Sequence, residues 1–133
     1  MYETDDGYIF ATFQDGNVLF HKDSYETHCE RHDAIKGVEG RESIQDALIS
    51  PDFITSYPLK EYSGKVIAHC KKYRKITKGG VRTTRGEEWE YWEIILRKNL
   101  GKRKKIVSAY LTSSPKPFVI NDRIEKIEYL KKK

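Results

Sequence analysis

The chain has 133 residues, of which 38% are hydrophobic and 34% charged, and a formal net charge of +5. This is the length of one domain, and nine tyrosines, five phenylalanines and two tryptophans provide enough aromatic mass to exclude a disordered chain. No run approaches the roughly 18 apolar residues of a membrane span, and the acidic start Met-Tyr-Glu-Thr-Asp-Asp is unlike a signal peptide. We therefore expect a cytoplasmic protein, no contact with a membrane, and reduced thiols at Cys29 and Cys70.

The charge is distributed unevenly along the chain. Residues 1–64 carry 5 Lys and Arg against 13 Asp and Glu, whereas residues 65–105 carry 14 against 4 and residues 106–133 carry 6 against 3. One explanation is a solvated surface whose two halves attract each other. The other is a basic sheet that follows a phosphate backbone.

The first half of the chain predicts a hairpin and two helices. Residues 8–22 contain two β-prone runs around Asp15-Gly16-Asn17, residues that tolerate the positive φ of a tight turn. Residues 25–33 form a short helix opened by Ser24, and a glycine-flanked loop at 36–40 follows. A second helix at 41–49 is ended by Pro51, because the residue before proline is pushed out of the α region.

From Gly64 onward the hydrophobic period changes from helical to two, which is typical of strands. The pattern predicts strands at 65–75, 89–98 and 106–113. A long, mobile hairpin tip, from Lys78-Gly79-Gly80 through the basic, polar run to Gly86, separates the first two, and a turn at 99–104 separates the last two. Ser114-Pro115-Lys116-Pro117 ends the third strand, and the tail from Asp122 adds a short helix or an edge strand.

This order predicts one α+β domain. Two N-terminal helices cover one face of an antiparallel sheet of three to four strands, and a β-hairpin precedes them. The predicted divisions are an N-terminal extension at 1–22, a core at 23–113 and a tail at 114–133.

Two of the four histidines suggest acid–base chemistry. His28 and His32 are four residues apart, so on a helix they share a face, together with Tyr25. That face is expected to point toward the body of the protein. Metal-independent cleavage of RNA needs a base for the 2′-hydroxyl, an acid for the leaving oxygen and cations for the phosphate. Further candidates for these roles are Arg31 on the helix and His69, Lys71 and Tyr73 on the first strand. The alternative is that the two histidines pack in the core and have no catalytic role.

Hydroxyl groups alternate along the third predicted strand, at Ser108, Tyr110 and Thr112. Hydroxyls donate to phosphate oxygens, and tyrosine also stacks on an unstacked base. The alternative is an ordinary solvent-facing strand.

Two further chemistries fit the sequence less well. Neighbouring His69 and Cys70 point to opposite faces of a strand and cannot share an ion, which leaves an open zinc site of His28, His32 and His69 as the geometrically possible one. Nucleophilic cysteine chemistry lacks an identifiable orienting group. We therefore expect no metal and no cofactor.

Five short motifs occur in a recognisable succession. They are His-x-x-Arg-His at 28–32, Ser50-Pro51-Asp52-Phe53-Ile54, Cys70-Lys71-Lys72-Tyr73, the hydrophobic strand from Tyr91 to Leu96, and Ile106-Val107-Ser108-Ala109-Tyr110. Over residues 25–113 this succession resembles the phage and mobile-element nucleases grouped with barnase, EndoU, the RNase colicins and RelE.

The resemblance implies a metal-independent endoribonuclease with a curved sheet, often a toxin, that leaves a 2′,3′-cyclic phosphate. It implies RNA as the substrate and an inhibitory protein, such as an antitoxin, as a partner. The resemblance gives the catalytic roles to His28, His32, Lys71, Ser108 and Tyr110. The chemistry of the side chains adds, as substrate-binding residues, Arg31, His69, Tyr73, Arg97 and Thr112. The alternative is a non-catalytic module whose basic sheet binds nucleic acid or an acidic protein.

Overall fold

A computed structural model of the protein describes residues 1–84, 86–115 and 125–132. Two helices, a 3-10 turn and eight strands lie in these ranges. In chain order they are β1 (Tyr2–Thr4), β2 (Gly7–Ala11), β3 (Asn17–His21), α1 (Lys22–Arg31), the 3-10 turn (Asp33–Ile35), α2 (Gly37–Ile49), β4 (Phe53–Lys60), β5 (Val66–Thr83), β6 (Gly86–Asn99), β7 (Lys105–Ser114) and β8 (Lys126–Leu130). The predicted break at 114–117 and the tail from Asp122 fall partly outside the described residues.

The described strands form one sheet in the order β1-β2-β3-β7-β6-β5-β4-β8. Every neighbouring pair is antiparallel except β3 and β7, which run parallel and are paired only at Leu19 and Lys105. The long strands β5, β6 and β7 form the centre of the sheet, and their registers pair Tyr73 with Ile94 and Ile94 with Ala109.

The predicted fold class is wrong, because the sheet is much larger than three to four strands and is mixed. The N-terminal hairpin joins the same sheet through β3, and Phe53–Lys60 is a strand between β5 and β8. Its sequence does not alternate and contains Pro58, which disfavours a central strand in single-sequence reading. Pairing with β5, the next strand in the chain, and with the distant β8 therefore stabilises β4 where its local propensity does not.

Two local boundaries also differ from prediction. The predicted hairpin tip at 78–86 is too long, since β5 continues to Thr83 and β6 begins at Gly86, with register shifts on both sides of Lys78 and Gly80 at a φ of 65°. Bulges of this kind let a strand absorb glycines. The predicted loop at 36–40 is largely helical, because α2 already begins at Gly37. The predicted end at Pro51 is confirmed, because α2 ends at Ile49.

Both helices pack on one face of the sheet. α2 buries Ile44, Ala47 and Leu48, a spacing of three and four residues that puts them on one side of a helix. They belong to a core with aromatic and aliphatic strand residues, among them Phe10, Phe20, Tyr73, Ile94 and Leu96. Each large apolar side chain buried in this way contributes about 1.5–3 kcal/mol.

The opposite face of the central strands is not a free polar surface. Phe53, Cys70 and Tyr91 are buried there, and the guanidinium of Arg74 donates to the carboxylate of Glu93 over 2.8 Å. The functional groups predicted from the sequence therefore have to be sought at the ends and edges of the sheet.

Candidate functional site

His28 and His32 lie side by side at the end of α1. The helix ends at Arg31, so His32 has an extended backbone with a φ of −134°. The two imidazole rings are nevertheless stacked, with centroids 6.5 Å apart and planes 26° apart. Both side chains are half-buried. The four-residue spacing thus predicted their proximity, although α1 begins at Lys22 rather than after Ser24 and ends before His32.

The surroundings of His28 determine which of its nitrogens carries the proton. Nδ1 lies 2.8 Å from the carbonyl oxygen of Ser24, and the ring contacts Phe20 edge-on at 5.8 Å. A carbonyl oxygen only accepts hydrogen bonds, so Nδ1 donates. In the neutral ring the lone pair is therefore on Nε2, which is the arrangement that a general base needs.

The sheet topology brings His32 to Tyr110. After the single pair between Leu19 and Lys105, the chain leaves β3 and enters α1. The outer edge of β7 then runs beside α1 and the 3-10 turn, and the rings of His32 and Tyr110 lie 5.6 Å apart. Ser108 is two residues earlier on β7, on the same side of the strand, and is half-buried. We call His28, His32 and Tyr110 the histidine cluster.

Lys71 belongs to a second group, centred on Asp15. Its ammonium nitrogen lies 3.0 Å from Oδ1 of Asp15, and that of Lys104 lies 2.5 Å from the same oxygen. The hydroxyl of Tyr73 donates to the other carboxylate oxygen, Oδ2. The Asp15 side chain has no exposed surface. We call these four residues the aspartate cluster.

The charges of the aspartate cluster stabilise one another. Burial alone would raise the pKa of Asp15, but hydrogen bonds from Lys104, Tyr73 and Lys71 outweigh it and hold the pKa below its ordinary value. Burial and the hydrogen bond to Asp15 raise the pKa of Tyr73 far above its ordinary value. At neutral pH the cluster therefore contains one carboxylate, two ammonium groups and a neutral phenol, with one positive charge in excess.

The hairpin between β2 and β3 delivers Asp15 to this position. Thr12 Oγ1 accepts from the backbone of Asp15 over 2.7 Å and donates to the carbonyl of Gly16 over 2.7 Å. The backbone nitrogen of Phe13 donates to the carbonyl of Leu48 over 2.8 Å, which docks the hairpin tip on α2. The turn at Asp15-Gly16-Asn17, which was predicted because its residues tolerate positive φ, thus also supplies the buried carboxylate of Asp15.

Two cavities with basic linings flank the turn between β6 and β7. The first, which we call the sheet-end cavity, has a volume of about 500 Å³. Its charged or titratable lining residues are His69, Lys71, Lys98, Lys104, Lys126 and Glu128. The second, which we call the turn cavity, has a volume of about 670 Å³. The corresponding residues there are Asp6, His21, Lys102, Arg103, Lys104 and Lys105. Lys104 lines both cavities.

The histidine and aspartate clusters are separate. Tyr110 follows Lys104 by six residues along β7, which corresponds to about 20 Å at the rise of an extended chain. Within the described residues no hydrogen bond or ion pair connects Lys71 to His28 or His32. The predicted catalytic set is therefore divided between two places on the molecule.

The remaining predicted site residues are scattered. Arg31 is exposed at the last turn of α1, beside the histidine cluster in sequence, and His69 is exposed at the sheet-end cavity. Tyr73 is wholly buried and cannot stack on a base. Arg97 and Thr112 are half-buried on β6 and β7. Sequence reasoning missed Asp15 and Lys104, which are 89 positions apart and carry no local signal of their pairing.

Neither a metal centre nor a membrane-spanning helix is found in the part of the chain that the structure describes. No three His, Cys, Asp or Glu side chains there are grouped so that they could hold a metal ion, so the alternative site of His28, His32 and His69 is not assembled. No described helix is long and apolar enough to cross a membrane. Cys29 and Cys70 are free thiols.

Comparison with known proteins identifies no relative. No family model matches the chain, and neither a curated protein nor a solved structure shows significant similarity to it.

Proposed function

We propose that the protein is an endoribonuclease that needs no metal ion and whose reacting groups are those of the histidine cluster. The observation that carries the proposal is the stack of His28 on His32, with Nδ1 of His28 donating to the Ser24 carbonyl. This contact leaves Nε2 of His28 able to accept a proton. The proposal retains the chemistry implied by the resemblance to the barnase, EndoU, colicin and RelE nucleases.

In the proposed reaction, Nε2 of His28 takes the proton of a 2′-hydroxyl, and the 2′-oxygen attacks the adjacent phosphorus. The bond to the 5′-oxygen breaks, and His32 donates a proton to that oxygen. The products are a 2′,3′-cyclic phosphate and a 5′-hydroxyl. The guanidinium of Arg31 faces the developing charge on the phosphate, and the hydroxyls of Ser108 and Tyr110 orient the nucleotide. Lys71 has no role in this step because Asp15 holds it at the other cluster.

The test is single-turnover cleavage of a labelled RNA 12-mer, with the protein in saturating excess and EDTA present. We expect His28→Ala and His32→Ala each to lower the cleavage rate by about 100-fold or more, as loss of a general base or acid does. His21→Ala is the matched control, because His21 is exposed at the end of β3 and outside the cluster. Saturating protein keeps any binding defect of the control from affecting the rate.

Two results would contradict the proposal. Intact RNA that is retained by the wild-type protein, with an affinity that falls steeply with salt, would indicate the non-catalytic binding module instead. Cleavage at the wild-type rate by folded His28→Ala and His32→Ala variants would exclude this mechanism. In cells, a toxin-like enzyme predicts slowed growth on expression of the wild type but not of His32→Ala.

A further inference from the structure

The sheet-end cavity is shaped and charged for a phosphate-bearing ligand. Four lysines and His69 line it, against the single carboxylate of Glu128. That carboxylate accepts a hydrogen bond from the Ser56 hydroxyl over 2.6 Å. The buried Asp15 carboxylate also offsets part of the charge of Lys71 and Lys104, so an anion entering the cavity meets an excess of two positive charges, which also raises its rate of association.

The aspartate cluster positions two of these lysines in advance. Lys71 and Lys104 both donate to Oδ1 of the buried Asp15 carboxylate. An ammonium group has three N–H donors, so each lysine keeps donors beyond the one that Asp15 accepts. The side chains of Lys71 and Lys104 are 24% and 34% exposed, so these donors are accessible to a ligand. Fixing two flexible side chains before binding lowers the entropy cost of holding an anion between them.

The same cavity offers an apolar wall. Tyr57, Pro58 and Leu96 line it beside the lysines. A volume of about 500 Å³ lies within the usual range for small-molecule sites, about 300–1,000 Å³. A planar base against this wall and a phosphate on the lysines would satisfy both kinds of lining, which favours a nucleotide over inorganic phosphate.

The turn cavity extends the positive surface in one direction. It shares Lys104 with the sheet-end cavity and adds Lys102, Arg103, Lys105 and His21, opposed by Asp6. A single nucleotide cannot occupy both cavities, whereas successive phosphates of one strand can.

From this juxtaposition we infer that the protein binds single-stranded nucleic acid, with one nucleotide in the sheet-end cavity and the neighbouring phosphates along the turn cavity. The site lies about 20 Å from the histidine cluster along β7. It does not depend on the proposed cleavage, and it would hold a strand even if the protein cut nothing.

The test uses a labelled 2′-O-methyl RNA 12-mer, which lacks the 2′-hydroxyl nucleophile and so reports binding without cleavage. The double variant Lys98→Ala, Lys126→Ala removes two exposed cations that form no ion pair with a described residue. The matched control is Lys78→Ala, Lys132→Ala, which removes the same charge from exposed positions outside both cavities. Fluorescence anisotropy is measured over a salt series on the full chain.

We expect the cavity variant to bind about tenfold more weakly, and its slope of log affinity against log salt to fall by about 1.4, the value for two lost contacts with a single strand. The control should change affinity by less than about twofold. Competition with uridine monophosphate should need at least a hundredfold higher concentration than competition with the unlabelled strand, because the monophosphate has one phosphate.

Equal weakening in the two double variants would overturn the inference, since binding would then follow net charge alone. Absence of binding by the wild type would overturn it as well. A monophosphate that competes as well as the strand would overturn the assignment to a strand. None of these results bears on the cleavage assay with His28→Ala, so failure of this inference and failure of the proposed enzyme are distinguishable.

Discussion

At the scale of single residues, the buried carboxylate of Asp15 has the most consequences. A charge without exposed surface is tolerated only when it is paired and hydrogen-bonded, and Lys71, Lys104 and Tyr73 satisfy both conditions. The same three contacts attach the N-terminal hairpin to β5 and to the start of β7. Asp15 therefore links the stability of the sheet to the positions of two lysines in the sheet-end cavity.

Asp15→Asn is expected to destabilise the protein by about 3 kcal/mol at neutral pH, because two ammonium groups lose their shared counter-charge. The folded-state pKa of Asp15 lies below its ordinary value of 3.8, so its stabilisation is complete above that value and is lost as the pH falls through the lower range. The free-energy gap between wild type and variant should thus shrink as the pH drops below about 4.

Urea unfolding over a pH series measures that gap. Asp5→Asn is the control, because Asp5 is exposed in the turn before β2 and should change stability by less than about 0.5 kcal/mol. A gap that is absent at neutral pH, or that widens in acid, would show that the ion pairs of Asp15 do not stabilise the fold.

Tyr110 allows the hydroxyl and the ring to be tested separately. Tyr110→Phe keeps the ring contact with His32 but removes the hydroxyl, and we expect single-turnover cleavage to slow by about tenfold, the value of one hydrogen bond to a charged group. Tyr62→Phe, on a fully exposed tyrosine, should have no effect. An unchanged rate in Tyr110→Phe would limit Tyr110 to packing against His32.

At the scale of elements, α2 packs closely against the 3-10 turn. This contact fixes the position of the turn, which directly follows His32. A Cβ on Gly40 would lie 2.1 Å from the carbonyl carbon of Ile35 and 2.2 Å from its oxygen. That same oxygen accepts a hydrogen bond from Tyr25 over 2.6 Å, so the turn is held from two sides. Only glycine lets α2 approach so closely.

Gly40→Ala is therefore expected to destabilise the protein by about 1–3 kcal/mol, the usual cost of overpacking. The sign of the change in unfolding free energy is informative, because replacing glycine by alanine without a clash would stabilise a helix interior by about 1 kcal/mol. Glu39→Ala, at the neighbouring exposed position, is the control. Thermal unfolding measures both, and an increase in melting temperature for Gly40→Ala would contradict this packing.

The elements predicted from the sequence are those with a local signal. The hairpin around Gly16 and the strands of β5, β6 and β7 follow from turn residues and alternation. β1, β4 and most of the sheet order do not. β1 is only three residues long, β4 does not alternate and contains Pro58, and the pairs β3–β7 and β4–β8 join strands distant in the chain.

In the candidate site, too, only the features with a local sequence signal were predicted. The four-residue spacing was enough to predict that His28 and His32 adjoin, because the His32 N–H still donates to the His28 carbonyl over 2.8 Å although the helix ends at Arg31. Lys71 was grouped with them on chemistry alone, and only the path of the hairpin shows that it pairs with Asp15 instead. Sequence therefore predicted which side chains could react, but not which of them meet.

At the scale of the whole molecule, the uneven charge of the chain has two effects. Part of it is neutralised internally, because acidic residues of the first half pair with lysines of the second: Asp15 with Lys71 and Lys104, Asp46 with Lys75 over 2.6 Å, and Asp52 with Lys131 over 3.9 Å. Another part lines the two cavities. Attraction between the halves and a basic binding surface are thus compatible, and the sequence alone presented them as alternatives.

These two effects predict different responses to salt. Ion pairs that are partly exposed contribute at most about 1 kcal/mol each, and salt also screens the repulsion among lysines. Raising NaCl from about 0.05 to 0.2 M should therefore move the melting temperature by only a few degrees. Binding of the 2′-O-methyl 12-mer should weaken by about 50-fold over the same range if about four phosphates are contacted. Differential scanning fluorimetry and anisotropy on one preparation measure both. A large loss of stability with unchanged binding would mean that the basic residues act mainly within the fold. Cations that contact a phosphate backbone would instead show an affinity that falls as the salt concentration rises.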